Sequence, residues 1–239
     1  MATVSPATGS GLTENLDFAS ELLLNRVMNG QLKAQSGRTI SPASRAVAAD
    51  LDAAARSYGV IASNVAAAKP IVDGAQSALT ELAAVLEKTR DAMLGAPDAA
   101  AVSSLAAEAR TEMDALLRAS FDGVSPLGSG PGSTRSVTLG PGAGETMTVG
   151  GLNLGGGGTA FDTLYNSLDA TLTVAPTADA FNDAIAWLAN LVARQGAQRN
   201  VLTDRYDMLS DLAATLHDAS DDQAMTAGGS SSSLLNTVF

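Results

Sequence analysis

The sequence predicts a mainly α-helical protein: an elongated antiparallel helical bundle or coiled-coil rod that carries a small β-hairpin subdomain. Three observations predict it. Apolar residues recur in strict alternating steps of three and four over long stretches, which keeps one narrow face of a helix turned toward a partner helix. Glycine is concentrated in one central segment holding two short alternating runs. Aromatic residues make up only 4% of the chain, so the core is built from Ala, Leu and Val, which suits closely spaced helices better than a thick globular centre.

The elements follow in order. An N-terminal helical segment, 1–35, begins rich in Ser, Thr and Gly; Thr13 is a candidate N-cap, and Leu16, Phe18, Leu22, Leu23 and Val27 form a broad apolar side over 14–35. Asn29-Gly30 and Ser36-Gly37 interrupt it, and Ser41-Pro42 supplies a cap followed by a proline at the first helical position.

The N-terminal half of the helical rod occupies 36–120. A helix over 42–68 carries Val47, Leu51, Ala54, Tyr58, Ile61 and Val65, and Pro70 is expected to end or kink it. A next helix carries Ala75, Leu79, Leu82, Leu86, Thr89 and Met93, stopping near Leu94 at the Gly95-Ala96-Pro97-Asp98 turn. A further helix over 99–119 carries Val102, Leu105, Ala109, Met113 and Leu116.

Residues 121–158 change character. Val137 and Leu139 alternate with Ser136 and Thr138, and Met147 and Val149 alternate with Thr146 and Thr148. Gly140–Gly144 separates the runs, which predicts a β-hairpin. The C-terminal half of the rod spans 159–220: a short helix over 160–173, then a long helix capped by Thr177 or Asp179. Its face is Phe181, Ile185, Leu188, Val192, Gln195, Arg199, Leu202, Tyr206, Leu209, Ala213 and Leu216. Residues 221–239 are expected to be a flexible tail with an apolar tip.

Composition narrows function. The formal net charge of −11 disfavours nucleic acid, whose phosphates need clustered Lys and Arg, and an anionic membrane surface for the same reason. No apolar run approaches the ~18 residues of a membrane span, and the N-terminus lacks the basic start and apolar centre of a secretory signal. The chain contains no cysteine, which excludes disulfides and thiol chemistry. Gly140, Gly142 and Gly144 do not fit a dinucleotide fingerprint, and no Gly-Lys-Ser/Thr follows. The one histidine, His217, has no serine nucleophile motif to serve; its position near an expected helix C-terminus suits favourable interaction with the dipole. Asp218, Asp221 and Asp222 lack the spacing of a calcium loop. The composition therefore predicts no catalytic residues, no cofactor and no metal. Gln195 and Arg199 fit either a polar layer that fixes register or a contact with a neighbouring subunit.

Several segments resemble bacterial flagellins. Ser36-Gly37-Arg38-Thr39-Ile40-Ser41-Pro42-Ala43 is similar to the flagellin "SG-R-I-N-S-A" segment, Ala75-Gln76-Ser77-Ala78-Leu79 to "AQ-x-x-EGAL", and Leu86-Glu87-Lys88-Thr89-Arg90-Asp91 to "LQRIRE". Glu112-Met113-Asp114 with Phe121-Asp122-Gly123 and Leu127 resembles "EID…FNG…LL-G". The Val137–Val149 hairpin resembles "QVGANAGETISV", and Gln195–Leu202 resembles "LGA-QNRL". These segments stand in family order across roughly residues 20–220. The resemblance implies an α-helical rod like the inner domains of flagellins, polymerised with other flagellin subunits into the motility filament. It further implies an export chaperone, passage unfolded through the flagellar type III apparatus, and an extracellular location. It also implies a surface engaged by vertebrate immune receptors, to which Arg90, Leu94 and Glu112 correspond. The chain departs from the family in ending on GGSSSSLLNTVF, where flagellins continue with a further terminal helix, and in Ser44-Arg45-Ala46-Val47, which lacks an acidic pair. A hook–filament junction protein, or a secreted enzyme or binding module on the same scaffold, is the alternative.

Overall fold

The computed structural model describes residues 42–128, 132–142, 144–154, 157–169 and 171–235. The expected helix over 14–35, the Ser36–Ser41 part of the first resemblance segment and the tip Val238-Phe239 lie outside them. Four helices and one antiparallel hairpin make up the described fold: α1 (Pro42–Leu94), α2 (Ala99–Leu117), β1 (Thr134–Thr138), β2 (Thr146–Gly150), α3 (Ala160–Ser167) and α4 (Ala178–Leu235). The class is mainly helical with a small two-stranded sheet, as expected. The described chain divides into two compact units: Ser57–Asp211, and the flanking stretches 42–56 with 212–235.

In the larger unit α1 does not break at Pro70, which sits inside the helix. Buried residues step through it at Val65, Ala68, Val72 and Ala75, joining the two expected helices in one register. Proline removes one backbone bond and crowds the carbonyl four residues back, at a cost of ~3 kcal/mol. Ala66, Ala67 and Ala68 leave room beside the ring. One neighbouring carbonyl gains an outside donor, since Arg135 Nη1 donates to Ala67 O (3.5 Å). Full burial of Ala68, Ile71 and Val72 on both sides of the proline holds the helix together by packing.

Helix α4 lies antiparallel to α1. Partners descend along α4 as they ascend along α1: Lys69 lies over the Tyr206 ring (5.6 Å), Asp73 pairs with Arg199 (2.9 Å), and Arg90 donates to Asn182 Oδ1 (2.8 Å). The buried face of α4 keeps the predicted period but shifts one of its two rows. Phe181, Leu188, Gln195, Leu202 and Leu209 are buried as expected. The alternate row is Ala184, Leu191 and Arg205, one residue before the expected Ile185, Val192 and Tyr206, which are half-buried; Arg199 is exposed. Small Ala184 allows close approach, and the bulkier Ile185 and Tyr206 cover the flank.

Helix α2 begins on a cap: Ala101 N–H donates to the Asp98 side chain (2.8 Å), satisfying an end donor. It packs Val102, Ala106, Ala109 and Met113 inward and is tied to α1 by Lys88, which reaches Glu108 (3.5 Å) and Glu112 (3.2 Å). Leu105 and Leu116, expected inside, are only partly buried. The short α3 opens on an N-cap: Asp162 N–H donates to Thr159 Oγ1 (3.0 Å), and the Asp162 carboxylate in turn accepts from the N–H of Gly158, the residue before the cap (3.1 Å). It ends at Ser167, short of 173, because Asp169 accepts from Thr171 N–H (2.7 Å) and Oγ1–H (2.6 Å), closing a turn instead of a helical turn. Arg110 caps the α3 C-terminus by donating to Tyr165 O (3.3 Å) and Leu168 O (3.2 Å), and its guanidinium lies over the Tyr165 ring (4.4 Å). Phe161 stacks between Tyr165 (5.9 Å) and Trp187 (6.3 Å). Thr177, one of the two candidate caps of α4, accepts from Ala180 N–H (3.3 Å).

In the smaller unit α4 continues to Leu235, beyond the end expected near His217. The expectation stopped there because the apolar seam ends at Leu216. The seam in fact continues in polar residues: Ser220 and Gln223 are buried, and Ser220 Oγ–H donates to Ala48 O of α1 (2.9 Å). His217 is thus a mid-helix residue, so the expected dipole interaction at a helix end does not arise. Its ring nitrogens each lie 3.9 Å from a carboxylate, Asp52 and Asp221.

Candidate functional site

The most elaborated surface in the larger unit is where the hairpin and the turn before it lie on the middle of α1. The hairpin pairs Arg135 with Val149 and Val137 with Met147. Alternation puts Val137, Leu139 and Val149 on the buried side and Thr134, Ser136, Thr138, Thr146 and Thr148 on the exposed side. Ahead of it, Phe121-Asp122-Gly123-Val124 forms a two-residue hairpin of its own. Phe121 and Val124 exchange backbone bonds (2.8 and 3.0 Å), and Asp122 and Gly123 both have positive φ, 49° and 75°. That is a type I′ turn, for which Asp-Gly is a favoured pair.

The Phe121 ring of this turn seats on α1 at Gly74. A Cβ at Gly74 would lie 2.2 Å from the ring, so the glycine, costly in a helix interior, is required by close approach. Arg135 ties the parts together: its guanidinium pairs with Asp122 and donates to Ala67 O. At the other end of the hairpin, Glu145 folds back against Gly140 and Gly142, where a Cβ would meet its carboxylate oxygens at 1.5 and 2.8 Å. Glu145 Oε2 is buried without a hydrogen-bond partner. Burial, and secondarily the Glu145 charge, raises the pKa of Tyr58 on α1. A groove of about 380 Å³ runs between α1 and β1, lined by Asn64 and Ala67 on one side and Arg135 to Thr138 on the other.

Other sequence candidates fall elsewhere. Arg90 and Leu94 share a face of α1, four residues apart. Arg90 is engaged with Asn182 and Asp91, and Leu94 is 58% exposed. Glu112 is held by Lys88, and Lys88 precedes Arg90 by two residues, about 200° around the helix. Glu112 therefore belongs to the opposite flank of α1, and the three do not form one patch. Gln195 is buried with its Oε1 unpartnered, as is Gln198 Oε1, whereas Arg199 is an exposed partner of Asp73. Of the two, Gln195 alone is a polar residue of the core; Arg199 lies outside it. Among the described residues no group of three or more His, Asp or Glu could hold a metal ion, Asp218, Asp221 and Asp222 included. No described helix is long and apolar enough to cross a membrane.

The local sequence signal of the turn is Asp-Gly set between Phe121 and Val124. The Gly74 seat has no local signal, since its cause lies 47 residues away at Phe121. No protein-family model matches this chain, and no curated protein sequence does.

Proposed function

We propose that the chain is a structural subunit of a bacterial flagellar filament, exported and assembled outside the cell, which works by packing rather than by catalysis. The observation that carries this reading is convergence. Four segments that resemble flagellins, far apart in sequence, meet around residues 67–79 of α1. Ala75–Leu79 lies on α1 itself. Phe121-Asp122-Gly123 seats at Gly74, and Arg135, beside the Val137–Val149 segment, reaches both Asp122 and Ala67 O. Gly196, in Gln195–Leu202, comes within 3.9 Å of Gln76 Nε2 at its Cβ position.

In this reading α1 and α4 wind as a coiled-coil rod, and the hairpin stiffens its outside. Apolar burial at ~25 cal/mol per Å² makes repeated contacts between subunits additive along a polymer, and contacts that do not close on themselves yield helical filaments. Partners are further flagellin-type subunits and an export chaperone. Produced with an epitope tag in a flagellated bacterium, the protein is expected in filaments sheared from the cells. Recovery from the cell lysate alone, with none in that fraction, contradicts the reading.

A further inference from the structure

We propose that the open edge of β1 accepts strand β2 of a second copy of the chain, extending the sheet from one molecule into the next. The hairpin ladder fixes which groups are available. Leu139 N–H donates to Glu145 O (2.7 Å) and Gly151 N–H to Ser133 O (2.8 Å), so the odd-numbered residues bond each other across the hairpin. The main-chain groups of Ser136 and Thr138 on β1, and of Thr148 on β2, therefore point outward, and they have no hydrogen-bond partner among the described residues.

Exposed edges are ordinarily blunted by charge, proline or a bulge. Here the blunting is withdrawn. The two charged side chains of residues 132–154 are Arg135 and Glu145. The first is held by Asp122, and the second is folded against Gly140 and Gly142. Strand β2 reads Thr-Met-Thr-Val-Gly, all uncharged. The groove along β1, walled by Asn64 and Ala67, offers space beside the edge for side chains of an added strand. Main-chain bonds with an adjacent side-chain pocket are the ingredients of recognition by strand addition.

A second copy is the occupant that fits. Each molecule carries both an acceptor edge and a donor strand. The order β1–β2–β1′–β2′ is antiparallel throughout without inverting either molecule. It places Ser136 opposite Thr148 of the next copy, and Thr138 opposite Thr146, which offers its carbonyl alone because its N–H donates to Gly144 O (2.8 Å). Charge favours it too: copies with a net charge of −11 repel one another, and this strip sums to zero. The pairing is heterologous and does not close. It rests on the edge geometry, so it stands or falls separately from the flagellar reading.

The absence of cysteine makes cross-linking free of background. Ser136→Cys and Thr148→Cys are prepared as separate full-length variants, checked for unchanged helical circular dichroism, mixed and mildly oxidised. Cα atoms in such a hydrogen-bonded pair lie ~5.5 Å apart, inside disulfide range. The mixture is expected to give a covalent dimer several-fold above either variant alone, as is Thr138→Cys with Thr146→Cys. The off-register mixture of Thr138→Cys with Thr148→Cys is expected to give less. Equal yields from all mixtures mean random collision and overturn the proposal. A dominant dimer of Thr148→Cys with itself means β2 pairs with β2, which also overturns it, as does no dimer at all.

Discussion

Replacing Gly74 with alanine separates two opposed effects of known size. In a helix interior alanine is favoured over glycine by ~1 kcal/mol. The added methyl, however, would sit 2.2, 2.3 and 2.5 Å from three carbons of the Phe121 ring. Ordinary contact begins near 3.4 Å, so the ring must retreat by about 1.2 Å, the difference between those distances. The Phe121 ring belongs to a turn held by two backbone bonds and by the Asp122–Arg135 pair, which resists that retreat. Overpacking of this kind costs ~1–3 kcal/mol, so Gly74→Ala is expected to destabilise by roughly 1 kcal/mol net. In a Phe121→Ala background the obstacle is gone, and the same substitution should stabilise by ~1 kcal/mol. Urea unfolding of the four proteins gives the coupling directly; with a slope of ~2 kcal/mol per M each effect moves the midpoint by ~0.5 M. A Gly74→Ala protein that gains its full helix-propensity benefit with Phe121 intact refutes the close-approach argument.

Arg135→Ala removes the pair with Asp122 and the donor to Ala67 O; a loss of ~1 kcal/mol is expected, given partial exposure, with faster amide exchange in the hairpin than in α2, and no rescue by Lys. Gln195→Leu replaces a buried side chain whose Oε1 is unpartnered and is expected to raise stability by ~1–2 kcal/mol, read as a higher urea midpoint; a loss would mean the amide is satisfied by water. The side-chain hydrogen bond from Thr171 to Asp169, then the backbone one, hold the Asp169 carboxyl below its ordinary 3.8. A depressed folded pKa contributes stability above the unfolded value that is lost as pH falls through the folded one. Thr171→Val should therefore raise the Asp169 pKa in a carboxyl NMR titration and destabilise at pH 7, with the difference from the parent shrinking as pH falls through the folded Asp169 titration; an unmoved Asp169 titration defeats it.

Much of the fold is legible because periodicity records burial. The hairpin runs, the Thr177 cap and the buried row of α1 from Tyr58 to Met93 follow from residue type and spacing, whereas nearer its start Ala55 is buried in place of the expected Ala54 and Val47 is only half-buried. Even the continuity of α1 was present in the numbers: Val65 and Ala75 are ten residues apart, three plus four plus three, so the two rows share one register across Pro70. What spacing does not show is the packing of Ala68, Ile71 and Val72, which offsets the local cost of the proline. The shifted row of α4 could not be read, because Ile185 and Tyr206 are as plausible inside as Ala184 and Arg205. The same limit hid the extension past His217, where Ser220 and Gln223 continue the seam in polar form. The platform on α1 depends on contacts such as Gly74 with Phe121 and Ala67 with Arg135, which join residues 47 and 68 positions apart and leave no periodic trace.

Under the proposed function these helices are stacked between molecules. Electron microscopy of the purified protein at rising concentration, alone and mixed with a full-length flagellin, addresses it most directly. Helical filaments, or incorporation into flagellin filaments, are predicted. A field of single particles under every condition, with flagellin polymerising alone beside them, contradicts it.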